Sequence, residues 1–410
     1  MEPCRFYVHN LGCKVNRAES NSIIAYYLSN GFTESGPGDA DLVIINTCTV
    51  TAEADHKTRK AIRHFAGMPQ HPRVIVTGCG AVAYGAALEE LGDNIKVSVD
   101  KPDCPPARNV DSQPAGHHAR VDIKVQDGCD NRCTYCIVPY VRGRARSVPQ
   151  ASIISEVQDI VSAGVHEIVL TGINLGRYHS DDAKDAGLPG LLKAICDLCD
   201  GFRVRLSSIE PEDVTPGLLE AMSSHKHRIC AHLHIPLQSG SDDILAAMGR
   251  HYDTAAYMGV VEAARDALPN IALSTDVIVG FPGEEDEDFK RTCTICRMAG
   301  FSRVHVFRYS MRPGTPAASM PGQLPSAVKQ KRSEALRALA DDLQTADAQA
   351  RIGSVEQVLI EDVGIGRTES YHRIEMPKDE IAAPVGGLCR MRIQPGTRMA
   401  LRGAPMAQSR

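Results

Sequence analysis

Three cysteines near the middle of the chain crowd one short segment, Gly128-Cys129-Asp130-Asn131-Arg132-Cys133-Thr134-Tyr135-Cys136. Thiolates are soft ligands that select zinc or iron–sulfur centres. Gaps of three and then two residues suit a loop wrapped round one corner of a cube. A structural zinc wants a fourth Cys or His nearby, and none follows before His166. An iron left without a protein ligand is an open coordination position, and an open position invites chemistry.

Three further thiols follow apolar runs that read as strands. Cys13 comes after Arg5–Leu11, Cys48 after Asp41–Asn46 and Cys79 after Arg73–Thr77. Open parallel sheets bind ligands outside the carboxyl ends of their strands. If these three strands share one sheet, all three thiols share that edge. Gly12, Gly78 and Gly80 beside them let the backbone approach a bulky cluster.

The elements that must position these thiols alternate. Val43-Ile44-Ile45 and Val74-Ile75-Val76 are β-branched runs of the kind buried on both faces of a parallel sheet. Helical spacing over Glu19–Asn30 and Glu53–Ala66 separates them, so the first hundred or so residues predict an α/β, doubly wound parallel sheet. Lys101–His118, with Pro102, Pro105, Pro106 and Pro114, reads as a linker. Strands follow at Glu167–Leu170, Arg203–Ile209, His232–Pro236, Leu273–Val279 and Ser302–Val306. Helical stretches at Ile153–Ala163, Leu188–Leu198, Asp242–Met248 and Thr254–Ala267 lie between them, which predicts a partial (βα) barrel with its site at the strand carboxyl ends. Lys329–Arg351 reads as a long charged helix. Val355–Glu361 and Leu388–Ile393 read as strands of a small β module. The expected domains are residues 1–108, 109–350 and 351–410.

A chain of 410 residues suits two or three domains at roughly 150 residues each. Its hydrophobic share of 43% and charged share of 23% are those of a soluble globular protein. A net charge of −5 means that contact with a polyanion needs a local patch. The amino terminus lacks a basic region followed by an apolar run, and no stretch approaches the ~18 apolar residues of a membrane span. The expectation is a cytoplasmic protein without a membrane partner. Fourteen cysteines are then metal ligands or small hydrophobes rather than disulfides.

The central spacing, with an aromatic residue just before the last cysteine, resembles the radical S-adenosylmethionine (SAM) superfamily. The resemblance implies that the open iron chelates the amino and carboxylate groups of SAM. One electron then breaks a carbon–sulfur bond and releases a 5′-deoxyadenosyl radical. It also implies cofactor contacts from Tyr135, from Gly172 and Asn174 in Thr171-Gly172-Ile173-Asn174, and from Glu210 and Gln238 at two further strand ends.

Two three-thiolate sites in this order resemble the methylthiotransferases, a subgroup of that superfamily. The matching segments are Gly12-Cys13-Lys14-Val15-Asn16, Asn46-Thr47-Cys48, Thr77-Gly78-Cys79, Ile137-Val138-Pro139-Tyr140-Val141-Arg142-Gly143, Pro236-Leu237-Gln238-Ser239-Gly240-Ser241 and Asp276-Val277-Ile278-Val279-Gly280-Phe281-Pro282-Gly283-Glu284. They span nearly the whole chain. Gly366-Arg367-Thr368-Glu369-Ser370-Tyr371 resembles the small RNA-binding barrel called TRAM. The resemblance implies two 4Fe–4S clusters: a radical-generating one on Cys129, Cys133 and Cys136, and an auxiliary, sulfur-holding one on Cys13, Cys48 and Cys79. A thiomethyl group then replaces a carbon-bound hydrogen, at two SAM per product. Such a hydrogen offers no acid or base handle, so no general base is expected, and no catalytic residue beyond the cluster ligands.

Relatives act on a modified adenosine beside the tRNA anticodon or on an aspartate of a ribosomal protein. Lys14-Val15-Asn16, Ser207-Ser208-Ile209-Glu210-Pro211, Phe307-Arg308-Tyr309-Ser310 and Arg312-Pro313-Gly314-Thr315-Pro316 resemble the branch acting on N6-threonylcarbamoyladenosine. The implied partners are the tRNA anticodon stem-loop and an electron donor such as flavodoxin or ferredoxin. The alternatives are the ribosomal-protein reaction and a non-catalytic iron–sulfur RNA-binding redox sensor.

Arg142, Arg144 and Arg146 alternate just past the triad, and in an extended segment such a row neutralises phosphates. The terminal module is only slightly basic, its cations from Arg367 onward being opposed by Glu369, Glu375, Asp379 and Glu380. Cys196-x-x-Cys199 and Cys293-x-x-Cys296 sit in helical patterns that turn both sulfurs toward the core. His232 and His234 read as core or pocket wall. The acidic run Glu284–Asp288 suits a helix amino terminus.

Overall fold

The structure, a computed structural model, describes residues 4–99, 119–377, 383–397 and 400–405. The linker read at Lys101–His118, and with it Cys104 and the boundary at residue 108, lies outside the described residues.

The amino-terminal sheet has five parallel strands. Arg5–Asn10, Leu42–Thr47 and Arg73–Gly78 sit side by side at its centre, between the edge strands Thr33–Glu34 and Ile95–Val97. Val43, Ile44 and Ile45 are fully buried, because helices cover both faces. Burying each such side chain contributes about 1.5–3 kcal/mol. The helices Lys14–Ser29 and Ala52–Ala66 connect these strands. The first begins at Lys14, five residues before the predicted start, with Cys13 at its N-cap. The second is capped by Thr51, whose side chain accepts from the Ala54 amide.

The central unit is two three-stranded parallel sheets joined edge to edge. Val121–Lys124, Glu167–Thr171 and Arg203–Leu206 form one; His232–His234, Ala272–Val279 and Arg303–Arg308 form the other. A parallel bridge between Ser208 and His234 joins them into a six-stranded partial barrel. The helices Gln150–Ser162, Leu188–Cys196, Pro216–Ser224, Thr254–Ala267 and Asp286–Ala299 pack outside, around Val157, Leu191, Val204, Leu233 and Val277. On Ala272–Val279 the alternation turns Leu273 and Val277 toward these helices, leaving Ser274, Asp276 and Ile278 on the inner face. Among the described residues no helix is long and apolar enough to cross a membrane.

The carboxy-terminal module is a closed barrel of five strands. It is tied to the central barrel through buried charge. Glu167 accepts from Arg203 at 2.7 Å and from Arg205 at 2.9 Å. The two guanidiniums then donate to the carbonyls of Gln357, Arg367, Thr368 and Glu369 in the small barrel. Helix Ser326–Ala350 leads into this module and packs along Arg303–Arg308.

Candidate active site

The amino-terminal thiols stand together at the carboxyl edge of three neighbouring strands. Cys48 directly follows Leu42–Thr47, Cys79 opens the short helix after Arg73–Gly78, and Cys13 caps the helix after Arg5–Asn10. Asn16 fixes these loops by donating to the carbonyls of Leu11 and Thr47, each at 2.9 Å. Gly12 has φ +115°, and a Cβ there would lie 2.8 Å from Cys48 Cβ and 3.2 Å from its sulfur. Burial pushes the Cys48 thiol up to about 11.

The central thiols ride a loop leaving the first barrel strand. Gly128, at φ +71°, passes so close to Arg144 that a Cβ would sit 1.9 Å from its carbonyl oxygen. The Cys129 amide donates to Gly143 at 3.1 Å, and Thr134 is held by Met248 and Ala247 through its amide and hydroxyl. All three sulfurs are half-buried. Burial pushes Cys136 up to about 12 and also raises Cys129. Thiols so placed ionise only against a nearby cation, which an iron centre supplies.

Spacing tests what these sites fit. Around one zinc, with Zn–S near 2.3 Å, sulfurs stand about 3.8 Å apart. Among the described residues neither triad belongs to a group whose ligand atoms all lie within 4.8 Å. The wider spread suits a multi-iron cluster.

The residues expected to meet the cofactor lie at successive strand ends. Gly172 follows Glu167–Thr171, and a Cβ there would meet the Gln126 side chain at 3.0 Å. The Asn174 backbone N–H donates to Gln126 Oε1 at 2.7 Å. The Asn174 side chain reaches Cys129, while its Oδ1 is buried without a partner. Glu210 pairs with Arg250, whose Nη1 is 3.2 Å from Cys133 Sγ. Gln238 holds a left-handed backbone at φ +64°, its backbone N–H donating to the Asp276 carbonyl at 2.8 Å. Tyr135 packs among Phe281, Tyr309 and Met248. With Cys136, Gln238, Asp276, Ile278 and Phe307 it lines a cavity of about 200 Å3, to which Val50 and Thr51 of the amino-terminal unit also contribute.

The arginine row differs from expectation. Arg142 ends the helix Val138–Arg142, Gly143 turns at φ +73°, and only Arg146 lies in a strand. The left-handed glycine breaks the alternation. Arg142 is buried, its side chain 3% exposed, while Arg144 is 94% exposed. It donates to Glu19 and Asp127, each at 2.9 Å, to Asn16 at 2.6 Å and to Cys79 Sγ at 3.2 Å. Arg312 makes a second link between units, donating to Thr49, Asp55 and Tyr84. In the sequence Arg142 reads as a phosphate contact and Arg250 does not stand out, because each contact to a thiol spans segments distant in sequence. Of the discounted pairs, Cys293 and Cys296 do lie on one helix, but Cys199 falls past the end of Leu188–Cys196 and is exposed. The acidic run does cap a helix, with a capping box between Glu285 and Asp288.

The profile of the Radical SAM superfamily matches residues 123–296, and that of uncharacterized protein family UPF0004 matches residues 5–100. A threonylcarbamoyladenosine tRNA methylthiotransferase MtaB of Thermotoga maritima is 37% identical over 375 residues, covering 86% of each chain. A tRNA-2-methylthio-N(6)-dimethylallyladenosine synthase of Sphingopyxis alaskensis is 35% identical over 395 residues, covering 88% of each. The solved radical SAM methyltransferase TsrM of Kitasatospora setae shares the fold, with TM-score 0.56 and 14% identity over 78% of this chain and 77% of its own.

A partial barrel with a three-thiol loop at its carboxyl mouth is the framework of a radical SAM enzyme. With the amino-terminal thiol-edged sheet added, the chain belongs to the radical SAM methylthiotransferases, a family of tRNA modification. Its cofactors are SAM and two 4Fe–4S clusters.

Proposed function

We propose that the protein adds a methylthio group to C2 of N6-threonylcarbamoyladenosine next to the tRNA anticodon. Cys129, Cys133 and Cys136 hold the radical-generating cluster, and Cys13, Cys48 and Cys79 hold the auxiliary one. Tyr135, Gly172, Asn174, Glu210 and Gln238 hold SAM. When bound, SAM and the cluster supply a radical that removes hydrogen from a carbon without an acid or base handle. The chain's own residues hold, orient and shield. Arg250 neutralises Glu210 beside Cys133, and Val50, Thr51 and Phe307 line the mouth of the cavity.

The working division is residues 1–108 for the auxiliary cluster, 109–350 for radical chemistry and 351–410 for RNA. The anticodon stem-loop and an electron donor such as flavodoxin or ferredoxin are the partners, in the cytoplasm.

Charge inside the barrel carries the choice of substituent. Toward the strand amino ends from Ile278, the inner face presents Asp276 with His234 and His305, and then Lys14 and Arg303. An anionic threonyl group finds donors there. A dimethylallyl group would strip these groups of water and return no hydrogen bond. The similarity to the Sphingopyxis relative keeps the dimethylallyl substrate as the second reading. Mass spectrometry of tRNA nucleosides from a deletion strain tests both. Loss of methylthio-threonylcarbamoyladenosine is expected; its persistence, with loss of the dimethylallyl product instead, selects the second reading.

A further inference from the structure

His234, Asp276 and His305 form a group that the proposed chemistry leaves unused. They come from three neighbouring parallel strands. Asp276 and His305 are register partners, and His234 lies on the adjoining strand, two residues past His232. One ligand atom from each lies within 4.8 Å of the others. His234 Nε2 is 3.2 Å from Asp276 Oδ1.

The surroundings decide what this group can hold. Ser274 Oγ is 3.0 Å from His234 Nδ1 and 3.0 Å from His232 Nε2. A hydroxyl has one hydrogen, so it donates to one ring and accepts an N–H from the other. With the hydroxyl accepting from His234 Nδ1, the Nε2 lone pair is turned to the Asp276 carboxylate, the arrangement in which one cation engages all three groups. Lys14 and Arg303 oppose a dication, which favours one bound through nitrogen donors as well as charge.

We propose that His234, Asp276 and His305 bind a first-row dication, for which zinc is the redox-inert probe, with open positions toward the cavity under Tyr135. Two imidazoles and one carboxylate on one face are a standard donor set for such ions. A ring whose second nitrogen is tied to a hydroxyl has the outer-shell support that metal-bound histidines use. If the substrate reading above is right, the threonyl carboxylate and hydroxyl would complete the coordination.

The test uses the full-length chain with both clusters loaded, dialysed anaerobically against zinc and then against zinc-free buffer. About one zinc per chain is expected beyond that of the His234→Ala/His305→Ala double variant, with iron content and cluster absorbance unchanged. The milder Ser274→Ala keeps all three ligands and should weaken zinc binding about 10–100-fold. Equal zinc in the native and double-variant chains would overturn the site, as would failure of the native chain to retain it. Nucleoside analysis reports on the substrate separately, so a native chain that makes the methylthio-threonylcarbamoyl product yet fails to retain zinc sinks the metal site alone.

Discussion

The Nε of Arg142 donates to the Sγ of Cys79 across 3.2 Å, so a side chain from the loop behind the central triad touches a thiol of the other. Glu19, Asn16 and Asp127 share that guanidinium. Arg142 therefore fixes the two cysteine edges relative to each other. It also brings positive charge to a thiol that must ionise to bind iron.

Replacing Arg142 by Ala leaves Glu19 and Asp127 with Lys124 and Arg146 as their remaining cations. The loss should therefore fall below the about 3–5 kcal/mol of a fully broken buried pair. Lys restores the charge but not the fork that reaches four partners, so it should recover only part of the loss. Denaturant midpoints of the iron-free chains measure both. A native-like midpoint for Arg142→Ala would show that this network is not what joins the two units.

Glu167 plays the corresponding part at the barrel's other end. Burial alone would raise its carboxyl, but Arg205 and Arg203 outweigh burial and hold it well below the usual range. Its contribution is therefore present above the ordinary carboxylate pKa of about 4.3 and is lost only as pH falls through the lower folded value. Glu167→Gln should destabilise by about 3–5 kcal/mol at neutral pH. It should also speed proteolysis near helix Ser326–Ala350, because Arg203 and Arg205 anchor the small barrel. Unchanged proteolysis would uncouple that anchor from Glu167.

Glu156 has the opposite sign. Burial, with Asp159 adding and Lys124 opposing, pushes its carboxyl up to about 7. A raised folded pKa means stability that is full below the unfolded value near 4.5 and is lost as pH rises through about 7. Glu156→Gln should thus stabilise at pH 8, by roughly 1–3 kcal/mol at about 1.4 kcal/mol per pKa unit, and change little at pH 4. Thermal unfolding at the two pH values checks it; an equal shift at both would rule out titration of Glu156 as the cause.

What the sequence disclosed follows from which faces are apolar. Val43-Ile44-Ile45 is buried on both sides and reads as a strand from composition alone. Thr254–Ala267 lies on the outside of the barrel with one apolar stripe, and its bounds match the reading. Val121–Lys124 went unread, because Asp122 and Lys124 face a polar interior and meet Arg17 and Glu19 instead of aliphatic side chains. The early start of helix Lys14–Ser29 was hidden likewise, since Asn16 and Glu19 are buried to serve hydrogen bonds and Arg142. The six thiols were legible because each follows a strand or sits in a tight spacing. The arginines that tune them were not, because no local pattern reports a contact between Arg142 and Cys79.

Separate iron content for the two triads is the sharpest test of the cysteine assignments. The thiols stand on different supports: Cys13, Cys48 and Cys79 on the five-stranded sheet, Cys129, Cys133 and Cys136 on a barrel loop held by Gly143, Met248 and Ala247. Neither support needs the other's metal to keep its hydrogen bonds. Changing the central three to Ala should therefore leave about four irons per chain and abolish 5′-deoxyadenosine formation with dithionite and SAM. Changing the amino-terminal three should also leave about four irons, but preserve 5′-deoxyadenosine while removing the methylthio product. Arg142 touches Cys79 from the central loop, so any cross-effect should pass through it and appear as slower iron loading. Loss of all iron on removal of either triad would mean that the six thiols build one site, and the two-cluster assignment of these residues would fall.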